Sequence, residues 1–129
     1  MSLASYRREI PQRYRLEALK NKVSGKTYFP PRHICPKSKS REFEKVVLPD
    51  EGKIVTFTII RVPPSNFTDQ APYAVAIVEL NNGTRITTQV VDCDLNQISI
   101  GKKVKIEFRK IRMDGNSGAI YYGYKSVLI

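Results

Sequence analysis

A chain of 129 residues with 41% hydrophobic residues fits one domain, or one domain with a small module attached, of the soluble globular kind. No apolar run approaches the length of a membrane-spanning helix, and Arg7, Arg8, Arg13 and Arg15 are followed by no apolar stretch, so neither a membrane association nor a signal peptide is expected. Two cysteines without such a signal point to a reducing cytoplasm. The formal net charge of +10 is lopsided: residues 1–45 hold 12 Lys+Arg against 4 Asp+Glu, and residues 46–129 hold 10 against 8. A basic N-terminal third draws something anionic, whether nucleic acid, an acidic protein face or the phosphates of a nucleotide cofactor. The bland reading is that the charge serves solubility.

In chain order, Met1 to about Pro11 predicts a short helix, with Ser2 available as its cap and Pro11 closing it. Tyr14–Lys20 alternates enough for a strand, and Tyr28-Phe29 can pair back on it across a turn at Gly25. Pro30-Pro31 then calls for extended backbone. Within this stretch Asn21, Ser24, Cys35 and Ser38 hold the spacing of a four-cysteine zinc ribbon, C-x2-C-G and then C-P-x-C, with three of the four thiols missing. Zinc prefers thiolate and imidazole donors, and amide or hydroxyl oxygens are poor substitutes. His33 lies outside the four positions. This degenerate site is therefore expected to hold no zinc, and residues 12–38 to be ordered by packing, with Val23, Tyr28, Phe29 and Ile34 as apolar cover. Lys37–Lys45 is polar and reads as a linker.

From Val46 onward the pattern is β. Val46–Leu48 and Ile54–Arg61 form a first strand broken near Pro49–Gly52, with Val55, Phe57 and Ile59 on one face. Tyr73–Leu80 and Thr84–Val91 flank Asn82-Gly83, a strong hairpin signal. Gly101 marks a turn before Lys103–Ile111, where Val104, Ile106 and Phe108 are expected to point inward. The loop Asp114–Gly118 leads into Ile120–Leu128. Five antiparallel strands with a longer connection between the third and fourth fit a small closed barrel of OB type, with a five-stranded sandwich as the alternative. The chain is thus expected to be mostly β: residues 1–11 a helix, 12–45 a degenerate ribbon module and linker, 46–129 an OB-fold barrel.

Catalytic signatures are scarce. There is a single histidine, no Ser/His/Asp arrangement, no Gly-rich phosphate loop and no paired-carboxylate motif, so an enzyme is not expected. Cys93 lies between Asp92 and Asp94 and reads as a small buried residue. The rings of Tyr73, Phe57, Phe67, Phe108, Tyr121, Tyr122 and Tyr124 could stack bases, but alternation assigns Phe57 and Phe108 to the core, and strand three offers Arg85, Thr87 and Gln89 outward. The loop Val62–Tyr73 is long for a compact domain, which favours a functional role, with Phe67 plugging the barrel as the equal alternative.

Arg13-Tyr14-Arg15-Leu16, Gly25, Tyr28–Arg32 and Cys35-Pro36, followed by Gly52–Thr58, Pro72-Tyr73, Gly83-Thr84-Arg85, Gly101 and Tyr122–Lys125, occur in an order and spacing that resembles a known family. It is that of acyl-CoA-associated proteins in which an N-terminal helix and rubredoxin-like zinc ribbon precede a C-terminal OB fold. Asn21, Ser24 and Ser38 depart from its ligand pattern. The resemblance implies a non-catalytic scaffold of a thiolase-type complex, bridging enzymes like acetoacetyl-CoA thiolase and hydroxymethylglutaryl-CoA synthase and helping a CoA thioester pass between them. It implies CoA or acyl-CoA as ligand and no tightly held cofactor. On the matching segments, Lys22, Lys26 and Arg32 are the expected phosphate contacts, and Phe29, Phe67 and Tyr73 the expected lining of a pantetheine path. An OB-fold binder of single-stranded nucleic acid, RNA in particular, is the competing reading, and a ligand-free structural subunit the third.

Overall fold

Proline lacks the amide that a helix interior needs but is tolerated in the first turn. In the computed structural model, which describes residues 3–113 and 120–129, Pro11 accordingly opens a helix instead of closing one. Helix α1 spans Leu3–Arg8 and α2 spans Ile10–Arg15, with Pro11 in the first turn of α2. Tyr14 and Arg15, expected in a strand, belong to α2, which ends at the left-handed Leu16 (φ 52°). The hydroxyls of Tyr6 and Tyr14 are hydrogen-bonded to each other, and that bond first, with burial second, pushes Tyr14 up to about 12. The Tyr122 amide donates to the same Tyr6 oxygen at 3.2 Å, tying α1 to the last strand of the chain.

The module that follows is a three-stranded antiparallel sheet. Strand β1 (Glu17–Asn21) pairs with β2 (Thr27–Tyr28) across the turn at Gly25, where φ is +72°. Its other edge pairs with β3 (Phe43–Val47), in register from Glu17 opposite Val47 to Asn21 opposite Phe43. The expected linker over Lys37–Lys45 thus ends in a strand, and Val46-Val47 completes the ribbon sheet instead of starting the barrel. With no fully buried residue, β3 carries too little alternation to be read from sequence.

Strands β4 (Glu51–Ile60), β5 (Tyr73–Leu80), β6 (Arg85–Val91), β7 (Lys103–Met113) and β8 (Ile120–Leu128) close into a barrel in the order β4-β5-β6-β8-β7, so the sandwich alternative falls away. One pairing corrects the all-antiparallel expectation: β8 lies parallel to β6, with Val90 opposite Ser126. In β4 the register slips between Ile54 and Thr56. This bulge explains how Ile54 and, three residues on, Phe57 both face the core. Gly52 sits where β4 crosses β5 so closely that a Cβ would lie 2.4 Å from the Glu79 carbonyl oxygen. The β5–β6 hairpin turns through Asn81-Asn82-Gly83. The Gly83 amide donates to the Leu80 carbonyl and the Leu80 amide to the Thr84 carbonyl, both at 2.8 Å, with Gly83 at φ +88°.

Ile54, Val78, Leu80 and Val104 fill the barrel, and Leu16, Ala18 and Leu48 carry the same core into the ribbon. A fully buried side chain of this size contributes about 1.5–3 kcal/mol. Phe108 departs from expectation. Val104 is 0% exposed and Ile106 7%, but Phe108 on the same face is 52% exposed. Parity holds, yet the strand outruns the core, and the ring stacks on Tyr122 (5.3 Å) with Tyr14 edge-on at 4.9 Å. The expected loop Asp114–Gly118 falls outside the described residues. Among the described residues no helix is long and apolar enough to cross a membrane.

Candidate functional site: a degenerate knuckle and the groove beside it

The two ribbon turns bring Asn21, Ser24, Cys35 and Ser38 together, although no metal-type ligand set remains. Asn21 is fully buried. Its Oδ1 accepts from the amides of Val23 and Ser24 (3.0 Å each) and from the hydroxyls of Ser24 (3.4 Å) and Ser38 (3.2 Å). Its Nδ2 donates to the Ser40 carbonyl at 3.3 Å. Cys35 is equally inaccessible, with its Sγ 3.3 Å from both Ser24 Oγ and the Tyr28 hydroxyl. Burial alone would push this thiol up. The Ser24 and Ser38 hydroxyls, each with one proton to share between this sulfur and Asn21 Oδ1, act with the Ser38 amide and the Tyr28 hydroxyl to outweigh it and bring the thiol down to about 6. Tyr28 shifts the opposite way: its bond to Cys35, then burial, raises it.

These donors do not fit zinc. One thiol, two hydroxyls and a carboxamide lack the thiolate and imidazole set that the ion selects, and the carboxamide oxygen is already engaged by four donors. His33 is exposed, and no cluster of three His, Cys, Asp or Glu occurs among the described residues. The expected apolar cover is only half right. Tyr28 is buried and Phe29 packs on the barrel core, but Val23 is 64% and Ile34 46% exposed.

Tyr28 links this cluster to a groove. Its ring carries Lys26 and Arg32, each cation 5.6 Å from the centroid. Lys26, Phe29, Arg32 and Arg85 line a cavity of about 390 Å³ between the ribbon and the β5–β6 hairpin. Of the expected site residues, Lys26, Phe29 and Arg32 therefore share one groove. Lys22 does not line it; its amide bonds Glu42 across the ribbon. Phe67 and Tyr73, rings 6.0 Å apart, line a second cavity of about 320 Å³ with Arg13, Val75 and Tyr124. The two spaces approach each other at the Phe29–Tyr124 ring pair, 5.7 Å between centroids. Phe67 sits in a 3-10 segment, Ser65–Gln70, that shapes the wall of the second cavity and does not fill it.

Sequence reasoning missed the polar side of that second cavity. Gln70 Nε2 donates to the Ile111 carbonyl (3.1 Å), and Gln70 Oε1 accepts from Gln89 (3.2 Å) and from Lys125 (3.3 Å), which is only 7% exposed. The available signal was alternation: Tyr121, Gly123 and Lys125 occupy successive inward positions of β8, and a lysine in such a series demands a polar partner. The two remaining nucleophile candidates are poorly placed. Cys35 is sealed in the knuckle, and burial, then Asp94 and Asp92, push the Cys93 thiol up.

A closed five-stranded barrel in this order, with a small sheet packed on it, is an OB fold. Residues 45–109 match the family described as ChsH2, C-terminal OB-fold domain. The chain belongs to this ChsH2/DUF35 family, as its resemblance implied. A DUF35 domain-containing scaffold protein of Methanocaldococcus jannaschii is 46% identical over 119 residues, 92% of this chain and 84% of the relative. A probable enoyl-CoA hydratase alpha subunit of Thermomonospora curvata is 32% identical over 79 residues, 61% of this chain but 24% of that one. Among solved structures, the Ltp2-ChsH2(DUF35) aldolase aligns with a TM-score of 0.71 at 25% identity, covering 97% of this chain and 91% of the matched one.

Proposed function

We propose that this protein is a non-catalytic scaffold that docks on a thiolase-type enzyme, of the acetoacetyl-CoA thiolase or hydroxymethylglutaryl-CoA synthase kind, and holds part of a CoA thioester beside it. The observation that carries the reading is the groove in which Lys26 and Arg32 flank Phe29. Two cations at its rim match phosphates, and the Phe29–Tyr124 pair offers an apolar route for a pantetheine chain toward Phe67 and Tyr73. The scaffold name of the archaeal relative and the Ltp2-ChsH2(DUF35) aldolase name support an accessory role beside a partner enzyme, and the enoyl-CoA hydratase name of another relative points to acyl-CoA chemistry. Cys35 and Cys93 are both free thiols, which suits a reducing compartment.

The test is co-expression with thiolase-type enzymes, co-purification, and calorimetric titration of the complex with CoA. Stable co-purification and CoA binding that weakens about tenfold, roughly 1.4 kcal/mol, in a Lys26→Ala/Arg32→Ala variant is the expected result. Absence of both complex and CoA binding would remove the reading. If the charge instead served RNA, labelled single strands would bind at low salt, with affinity falling steeply as salt rises.

A further inference from the structure

The knuckle cluster contains more than the absence of a metal. The first turn aims the backbone amides of Val23 and Ser24 at its own first residue, at Asn21 Oδ1. In a four-cysteine ribbon such amides face thiolates whose charge a cation offsets. Here the first acceptor is a neutral carboxamide, so that turn is satisfied without any cation. The same side chain also reaches across. Its oxygen takes the Ser38 hydroxyl of the second turn at 3.2 Å, and its Nδ2 gives to the Ser40 carbonyl at 3.3 Å. Cys35 completes the ring through Ser24 of the first turn, at 3.3 Å. No buried side-chain nitrogen or oxygen among the described residues is left without a partner.

We infer that Asn21 replaces the metal as the cross-link between the two ribbon turns, with Ser24 and Ser38 as its matched partners, so that the module folds as a polar, metal-independent knuckle. The replacement is collective. Asn21 supplies the oxygen that the Ser24 and Ser38 hydroxyls both meet, so restoring one thiol rebuilds no zinc site and breaks part of the network. Packing of Val23 and Ile34 cannot do this work, because both are largely solvated. The cluster also fixes the Tyr28 hydroxyl, and hence the ring on which Lys26 and Arg32 lie. The inference does not depend on what that groove binds.

The test uses the full chain, its metal content by mass spectrometry and its melting curve with and without EDTA. Substoichiometric zinc and a melting temperature indifferent to EDTA are expected; one zinc per chain, or a clear loss of stability with EDTA, overturns the proposal. Ser24→Ala removes the hydroxyl that meets Asn21 Oδ1, Cys35 Sγ and the Lys26 amide, and Ser38→Ala the one that meets Asn21 Oδ1 and the Ser40 amide; each should lower the melting temperature by about 3–6 °C. Unchanged melting in both would show that the network carries nothing. The combined Asn21→Cys/Ser24→Cys/Ser38→Cys variant, with Cys35, should take up one zinc and become EDTA-sensitive. A folded triple variant that takes none would show that the carboxamide does not occupy the metal's position; if that variant fails to fold, the two alanine variants and the EDTA comparison still decide.

Discussion

In the barrel the least accessible large side chains are Ile54, Leu80, Val78 and Val104; in the ribbon they are Asn21 and Cys35. The barrel closes mainly on hydrocarbon, with Thr88, Lys125 and Ser126 as its buried polar members, whereas the ribbon closes on a carboxamide and a sulfur that two serine hydroxyls meet. Burying apolar surface is favourable wherever water is excluded, so a barrel tolerates many sequences that keep its inward pattern. A polar centre stabilises only when every donor and acceptor meets its partner. The contrast therefore predicts two kinds of sensitivity, broad and graded in the barrel, narrow and steep in the ribbon.

The largest effect should come from the barrel. Truncating Ile54 to Ala leaves a cavity at the centre of β4 and should cost about 3 kcal/mol, read as a shift of the whole urea transition. Gly52→Ala should be comparably damaging, since its Cβ would meet the Glu79 carbonyl with no flexible atom to yield. Next comes Asn21→Ala, which strands the amides of Val23 and Ser24 and should cost about 2 kcal/mol. Its signature should be local: hydrogen exchange accelerating at amides of β1, β2 and β3 before the barrel is affected. If both substitutions moved every amide together, ribbon and barrel would be one cooperative unit and the comparison would collapse.

A smaller effect separates the two by pH. Cys35 titrates near 6 in the folded chain against an ordinary value of 9.0. A depressed acid contributes stability that is complete above the unfolded value and is lost as pH falls through the folded one. Between pH 9 and pH 6, acidification should therefore weaken the ribbon. Cys93, raised by burial and its aspartate neighbours, acts with the opposite sign near the alkaline end. Melting temperature measured from pH 6 to 8.5 should climb more steeply in the parent chain than in Cys35→Ser, while Cys93→Ser should keep the climb. Equal slopes in the parent and Cys35→Ser would mean that the knuckle sulfur is not held as a thiolate.

How much of this was legible in the sequence follows the same divide. Barrel strands alternate against one apolar core, so β5 and β6, the Asn82-Gly83 hairpin and the inward faces of Val104 and Ile106 could be read directly. The errors occurred where a local rule met a tertiary boundary: Pro11 in a first turn, β3 hidden among charges, Phe108 beyond the end of the core, β8 running parallel to β6. In the ribbon the spacing of Asn21, Ser24, Cys35 and Ser38 was visible, and so was the poor fit to zinc. What replaces the metal was not visible, because a hydrogen-bonded network depends on directions that residue identity leaves open. Gln70 and Gln89 escaped for the same reason: nothing in their spacing shows that they share one oxygen with Lys125.

The smallest change in stability should come from the groove, and there the two regions have to cooperate. Lys26 and Arg32 are exposed and lean on the Tyr28 ring, so replacing either with alanine should alter stability by no more than about 0.5 kcal/mol. Tyr28→Phe keeps the ring but removes the hydroxyl on Cys35. If the knuckle only holds the ribbon together, this variant should melt a few degrees lower and bind CoA, within its enzyme complex, as the parent does. If the knuckle also sets the direction of the two cations, affinity should fall in Tyr28→Phe together with stability, and in Lys26→Ala/Arg32→Ala without it. Titrating the three proteins side by side distinguishes a support from a site, because only a ring whose tilt depends on Cys35 can couple a buried sulfur to a surface charge.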